Sequence, residues 1–89
     1  MNDYQIKFKS SAAKEFRKLP SLIKKRIQEA INQLTENPRP SSVVKLKGDD
    51  RLFRIRIGDY RIVYEIDDSA KLVRVTRVRH RKDVYRDNK

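Results

Sequence analysis

A two-residue turn, Gly58-Asp59, separates two runs of alternating apolar and basic residues, and it constrains the fold more than any other feature of the chain. Glycine at the first position of a two-residue loop is typical of a type II′ β-hairpin. The flanking runs, Leu52–Ile57 and Tyr60–Ile66, are therefore predicted to be antiparallel strands. A further turn at Asp67–Ala70 leads into Lys71–Val78, which is predicted to be a third strand of the same sheet.

The register of this hairpin decides which side chains share a face, because a one-residue slip would turn every side chain over. Counting from the turn, we expect Arg56 to lie opposite Arg61, with Arg54 diagonal to Arg61. The apolar residues of both strands then share the other face, which we expect to pack against helices: Phe53, Ile55, Ile57, Tyr60, Ile62 and Tyr64. Like charges directly opposite each other destabilise a sheet by up to ~1 kcal/mol. The arginines therefore indicate a face that binds an anion. The alternative is that these side chains are simply solvated, which is what we expect for the run Lys24-Lys25-Arg26.

The N-terminal half has helical rather than strand periodicity after a short alternating segment at residues 4–8. Ala12, Phe16 and Leu19 recur at helical spacing, and Pro20 interrupts them. A second helix is predicted from Pro20 or Ser21 onward, with an apolar face of Ile23, Ile27, Ala30, Ile31 and Leu34. After the proline-rich residues 37–40, residues 44–47 read as a short strand. The sequence thus predicts one α+β domain over residues 1–89, in which a strand and a helical hairpin pack on an antiparallel sheet in the order β-α-α-β-β-β.

Composition limits what such a domain can do. The 89 residues include 23 Lys and Arg against 12 Asp and Glu, a net charge of +11 that favours a polyanionic partner. The chain has no cysteine and one histidine, which excludes a disulfide scaffold and most zinc sites. Apolar runs are too short for a membrane span or a signal peptide, so we expect a cytoplasmic protein without a membrane partner.

The residues that remain could support RNA cleavage without a metal or any other cofactor. RNA supplies its own nucleophile, the 2′-hydroxyl, so a protein need only align it, stabilise charge and move protons. Arginines with one tyrosine and one histidine suffice for that chemistry. Tyr85 lies in a polar C-terminal stretch, where it either packs on the sheet edge or acts as a stacking or proton-transfer group. His80 is either structural or a proton carrier.

Four stretches of the sequence resemble the RelE/ParE toxin superfamily along essentially the whole chain. They are Phe16-Arg17-Lys18-Leu19, Lys45-Leu46-Lys47-Gly48, Tyr60-Arg61-Ile62-Val63-Tyr64 and His80-Arg81-Lys82-Asp83-Val84-Tyr85. The resemblance implies a small cytoplasmic toxin of a type II toxin–antitoxin system. RelE-like members cut messenger RNA in the ribosomal A site through the 2′-hydroxyl and use no metal. A RelB-like antitoxin inhibits them and binds operator DNA, so the toxin would meet that DNA only through the antitoxin.

The same resemblance assigns roles to individual residues. Arg61 resembles the transition-state arginine, Arg81 the second catalytic arginine, and Tyr85 the C-terminal tyrosine. Arg54 and Arg56 occupy positions where well-studied members have lysine. Because arginine remains charged, these two could bind phosphate but not act as a general base. Proton transfer is therefore expected to fall to His80 and Tyr85. The residues expected to bind RNA phosphates are Arg54, Arg56, Lys45, Lys47, Arg77 and Arg79.

Two other function classes remain open from the sequence. One is a ParE-like toxin of the same fold that inhibits DNA gyrase, and the other is a non-catalytic nucleic-acid-binding module. ParE-like members generally lack the catalytic arginines and tyrosine, so Arg61, Arg81 and Tyr85 favour the RelE-like interpretation. The partners then expected are the ribosome carrying mRNA in its A site and a RelB-like antitoxin, whose acidic, partly disordered segment would suit the basic surface.

Overall fold

The computed structural model describes residues 3–41, 43–46, 48 and 51–80, and its elements follow the predicted order. Two helices separate the first strand from the other four. The elements are β1 Gln5–Phe8, α1 Ser10–Arg17, α2 Ser21–Gln33, β2 Val44–Lys45, β3 Leu52–Ile57, β4 Tyr60–Asp67 and β5 Leu72–His80. The predicted α+β class is confirmed. Within the described ranges, neither helix is long and apolar enough to span a bilayer.

The strands form one five-stranded sheet in the order β1-β5-β4-β3-β2. The neighbours from β2 to β5 are antiparallel, as their short connections require. β1 instead runs parallel to β5, with Lys7 opposite Arg74, so the sheet is mixed rather than wholly antiparallel. Hairpin rules do not determine the direction of β1, because all the other elements intervene between it and β5.

The hairpin register is confirmed residue by residue. Arg56 lies opposite Arg61, and Ile57 lies opposite Tyr60 across the turn. Gly58 has a φ of +58°, and among the described residues other than glycine only Lys71 has a positive φ. A positive φ at the first central residue alone is the backbone conformation of a type II′ turn, which glycine adopts without steric cost.

The core lies between the two helices and one face of the sheet. Ala12 of α1, Ile27 and Ile31 of α2, and Leu34 directly after α2 are essentially fully buried. They pack with the apolar side chains of the three long strands: Phe53, Ile55, Ile62, Tyr64, Ile66, Val73, Val75 and Val78. The opposite face, here called the outer face, therefore presents the alternate residues of each strand. Those residues include the arginines predicted from the register, together with Val63 and Glu65 of β4.

A polar cluster ties the segment after α2 to the turn between β4 and β5. The Tyr4 hydroxyl donates to Asp68 Oδ1 at 2.5 Å, and Arg39 donates to both Asp68 carboxylate oxygens at 3.2 and 2.9 Å. The guanidinium of Arg39 also stacks 5.3 Å from the centre of the Phe53 ring. The buried Tyr64 hydroxyl donates to the carbonyl of Pro38 at 2.8 Å, and burial raises the pKa of Tyr64 to about 12.

This cluster predicts a specific acid sensitivity. Hydrogen bonds from Arg39 and then Tyr4 lower the pKa of Asp68 from 3.8 to about 2. A depressed carboxyl pKa stabilises the fold above the unfolded value, and that stabilisation is lost as pH falls from about 4 to about 2. The midpoint temperature of thermal unfolding should therefore fall further across that pH range in the wild type than in Asp68→Asn. Asp59→Asn, in the hairpin turn, is the matched control; equal losses in the wild type and Asp68→Asn would contradict the assignment.

Candidate functional site

Five arginines lie in two adjacent rows on the outer face of the sheet. In one row, Arg56 of β3, Arg61 of β4 and Arg79 of β5 are directly paired across neighbouring strands. In the next row, Arg54 and Arg77 flank a valine of β4. Since neighbouring strands lie about 4.8 Å apart, a row across three strands spans about 10 Å. The sheet thus gathers five guanidinium groups from residues that span much of the C-terminal half of the chain.

A β-bulge in β5 places two of these arginines on the outer face. Strict alternation from the buried Val75 would turn Arg77 and Arg79 towards the helices. The register instead shifts by one residue at Thr76, which opposes no β4 residue and whose hydroxyl donates to a β4 carbonyl at 3.1 Å. Val78 therefore becomes the buried residue, and both arginines face outward.

The five arginines differ in their electrostatic surroundings. The central arginine cluster, defined as Arg54, Arg56 and Arg61, has no carboxylate within ion-pair distance among the residues that the structure describes. Among the described residues, the one hydrogen bond made by a side chain of this cluster runs from Arg56 Nε to the carbonyl of Gly58, at 3.2 Å. Three adjacent guanidiniums without a counter-ion in that part of the chain form a site suited to bidentate binding of phosphate oxygens.

Acidic side chains flank the central cluster on two sides. Glu15 of α1 lies 3.2 Å from Arg79 Nε and 3.6 Å from an Nη of Arg77. At the far end of the outer face, Glu65 pairs with Arg74 at 2.8 Å. The local excess of positive charge is therefore centred on β3 and β4 near the hairpin turn.

Lys45, one of the residues expected to bind RNA phosphates, lies on the other side of the sheet from the central arginine cluster. It is paired directly with Phe53, whose ring is in the core, so Lys45 belongs to the helix side of the sheet. Val44 is the residue opposite Arg54 on the outer face. The resemblance could not reveal this difference, because a strand of two residues has too short a pattern to define its faces.

His80, one of the two residues expected to transfer protons, lies on the opposite side of the sheet from the central arginine cluster. It is paired with Tyr60, and the two rings meet edge to face with centroids 5.1 Å apart. Tyr60 packs against the core, which places His80 on the helix side of the sheet. The reason is the alternation after the bulge: because Arg79 faces outward, the next residue must face inward.

Three predicted site residues, Lys47, Arg81 and Tyr85, lie outside the described residues. In the part of the chain that the structure does describe, no three His, Cys, Asp or Glu side chains group in a way that could hold a metal ion. The described part of the site is therefore the central arginine cluster with the two β5 arginines beside it.

Residues 6–85 match the family described as the ParE toxin of the type II toxin–antitoxin system parDE. The chain belongs to this toxin family. Several curated relatives are named RelE toxins. Toxin RelE3 of Methanocaldococcus jannaschii is 33% identical, with 91% of this chain and 94% of the relative covered. The mRNA interferase toxin RelE of Escherichia coli K12 is also 33% identical, with 92% and 90% covered.

Solved structures agree with the sequence relatives. RelE in the archaeal RelE–RelB complex of Pyrococcus horikoshii superposes with a TM-score of 0.80 at 28% identity, over 89% of this chain and 96% of that one. The isolated E. coli RelE toxin gives a TM-score of 0.79 at 30% identity, over 96% and 94%. The predicted membership of the RelE/ParE superfamily is therefore confirmed for this toxin.

Sequence reasoning overlooked one residue of the site, Glu15. It is the single acidic residue of α1, and it contacts both Arg77 and Arg79 from a helix remote in sequence. The sequence indicates this residue only weakly, as one glutamate between Lys14 and Arg17 in a basic helix. No pattern within one helix indicates which edge of a sheet that helix will meet.

Proposed function

We propose that this toxin is an endoribonuclease that cleaves messenger RNA in the ribosomal A site. The observation that carries the proposal is the central arginine cluster, which offers three guanidiniums on adjacent strands with no carboxylate partner among the described residues. A relative that is 33% identical over 86 residues is named an mRNA interferase, and this supports the same activity here. The cluster is the kind of cationic surface that binds an RNA backbone and stabilises charge on a reacting phosphate.

The proposed reaction uses the RNA's own 2′-hydroxyl. Its oxygen attacks the adjacent phosphorus, the bond from phosphorus to the 5′-oxygen breaks, and the products are a 2′,3′-cyclic phosphate and a 5′-hydroxyl. Negative charge grows on the non-bridging oxygens as the fifth bond forms. Arg61, central in its row, is proposed to stabilise that charge with Arg81, while Arg54 and Arg56 hold the phosphate. Arg77 and Arg79 extend the phosphate-binding surface along β5.

Two protons must move in this reaction, one from the 2′-hydroxyl and one to the departing 5′-oxygen. Arginine remains protonated, so none of the arginines is suited to accept the first proton. His80 lies against Tyr60 on the other side of the sheet. We therefore assign both transfers to Tyr85, for which the resemblance to RelE predicts a place in the site: its hydroxyl gives its proton to the departing 5′-oxygen and takes up the proton of the 2′-hydroxyl.

The proposed dependence on the ribosome follows from the openness of the site. Arg56 is exposed, and Arg54 and Arg61 are half-buried on a sheet face, which binds a phosphate chain without fixing its conformation. In-line attack by the 2′-oxygen requires a near-attack geometry of the RNA. We propose that the ribosome imposes this geometry on the A-site codon and so completes the active site.

The proposed inhibitor is a RelB-like antitoxin. Related toxins from P. horikoshii, E. coli and M. jannaschii have been solved in complexes with RelB. A net charge of +11 favours an acidic partner. Contact with operator DNA would then be made through the antitoxin, and the toxin would act in the cytoplasm, where ribosomes translate mRNA.

Mapping of RNA 5′ ends after induction of the toxin in growing cells tests this proposal. We expect new 5′ ends inside translated messages, in phase with the reading frame, and none on the same messages when their start codons are removed. Intact mRNA together with DNA damage would contradict the proposal and identify a ParE-like gyrase inhibitor. Intact mRNA and intact DNA would also contradict it and leave a non-catalytic binding module.

A further inference from the structure

The end of β5 is attached to α1 through a single carboxylate. Glu15 Oε1 accepts a hydrogen bond from the backbone N–H of Val78 at 2.8 Å. Its other oxygen, Oε2, accepts from Arg79 Nε at 3.2 Å and lies 3.6 Å from an Nη of Arg77. One half-buried side chain thus contacts three consecutive residues of a strand more than 60 positions away in sequence.

This contact begins where β5 loses its neighbour β1, while its pairing with β4 continues. β1 pairs with β5 only as far as Phe8 opposite Val75, and the ladder closes with the Lys9 N–H donating to the Val75 carbonyl at 2.8 Å. Past that point the Val78 N–H donates to Glu15 instead of to a strand. A half-buried N–H without an acceptor would destabilise the fold, so the carboxylate substitutes for the missing strand.

We propose that Glu15 is a positioning residue for the cleavage reaction. By holding the Val78 backbone, it fixes the end of β5, sets Arg79 in the row with Arg61, and fixes the point from which the chain continues to Arg81. Its charge also balances Arg77 and Arg79, so an incoming phosphate meets the central arginine cluster first. The inference rests on the proposed endoribonuclease function and adds to it a residue that acts without touching RNA.

Two substitutions separate the hydrogen bond from the charge. Glu15→Ala removes both, whereas Glu15→Gln keeps an acceptor for the Val78 N–H and removes the charge. We expect Glu15→Ala to lower kcat on mRNA-programmed ribosomes by about 10²-fold, because small misplacements of reacting groups have effects of that size. KM should not rise, since two cations are released on the outer face. Glu15→Gln should retain kcat within a few-fold. Glu29→Ala, which removes an exposed acid of α2, controls for net charge.

A second readout keeps this test independent of enzymatic activity. Amide hydrogen exchange at Val78 in the full chain should accelerate more than about tenfold in Glu15→Ala and remain slow in Glu15→Gln. Wild-type exchange rates in Glu15→Ala would overturn the anchoring role. If Glu15→Ala does not fold, Glu15→Asp, which shortens the reach by one methylene, should show the same acceleration and loss of kcat.

The outcomes distinguish this inference from the function on which it rests. If the wild type cleaves mRNA and Glu15→Ala cleaves with the same kcat, the positioning role is wrong and the proposed function stands. If Glu15→Gln loses as much kcat as Glu15→Ala, the hydrogen bond to Val78 is not the operative contact and the inference fails. If the wild type does not cleave mRNA, the proposed function fails, and the exchange at Val78 alone reports on the anchor.

Discussion

Replacing Arg61 with alanine should lower kcat for mRNA cleavage by about 10²–10³-fold, the usual cost of removing one donor that stabilises developing negative charge. The free energy of unfolding should stay the same or rise slightly. Arg61 has Arg56 opposite it on one side and Arg79 on the other, and removing one of several facing like charges relieves repulsion of up to ~1 kcal/mol. Single-turnover cleavage and chemical denaturation measure the two effects.

Arg74→Ala is the matched control for Arg61→Ala. Arg74 lies on the same outer face but is paired with Glu65 at 2.8 Å, at the end of the face away from the hairpin turn. Its loss should change kcat by no more than a few-fold. Equal losses of activity in the two variants would mean that total charge, rather than the central arginine cluster, governs cleavage. Wild-type activity in Arg61→Ala would remove Arg61 from the mechanism.

Replacing Tyr85 with phenylalanine should lower kcat by about 10²–10⁴-fold, the range for loss of a proton-transfer group. His80→Gln should retain kcat within a few-fold, because the His80 ring packs against Tyr60 on the helix side of the sheet, opposite the face that carries the central arginine cluster. Cleavage rates of both variants should be measured under single-turnover conditions with saturating toxin. The rates then do not depend on how tightly each variant binds the ribosome.

The contrast between these two variants decides where proton transfer occurs. A loss in His80→Gln as large as that in Tyr85→Phe would return the histidine to the reaction and contradict its assignment to the helix side. Full activity in both variants would exclude protein-mediated proton transfer by either group. The arginines would then have to act by binding phosphate, in a reaction for which neither residue supplies the general base.

The outer face could be predicted from the sequence because a two-residue turn leaves no freedom of register. Gly58-Asp59 determines that Arg56 faces Arg61 and that the apolar residues of both strands face the helices. The prediction needed only local information, namely the turn type and a period of two along each strand. For the same reason the direction of β1, whose partner is β5, could not be predicted.

The surroundings of the arginines depend on contacts between distant parts of the chain. The bulge at Thr76 reverses the alternation of β5, which sends Arg79 outward and His80 inward. The spacing of valines and arginines changes around Thr76, which is consistent with a reversal of faces. Only the pairing with β4 shows that Thr76 is the extra residue. The bond between Glu15 and Val78 joins a helix to a strand edge, and no local pattern encodes it.

The most direct test of the account replaces one hydroxyl of the substrate. Ribosomes programmed with an mRNA that carries a single 2′-deoxynucleotide immediately 5′ of the scissile phosphate are mixed with the full-length toxin. We expect the all-ribose message to yield a 2′,3′-cyclic phosphate and a 5′-hydroxyl, and the deoxy message to remain uncut at that bond. Cleavage of both messages at the same rate would contradict attack by the 2′-hydroxyl and with it the role assigned to the central arginine cluster.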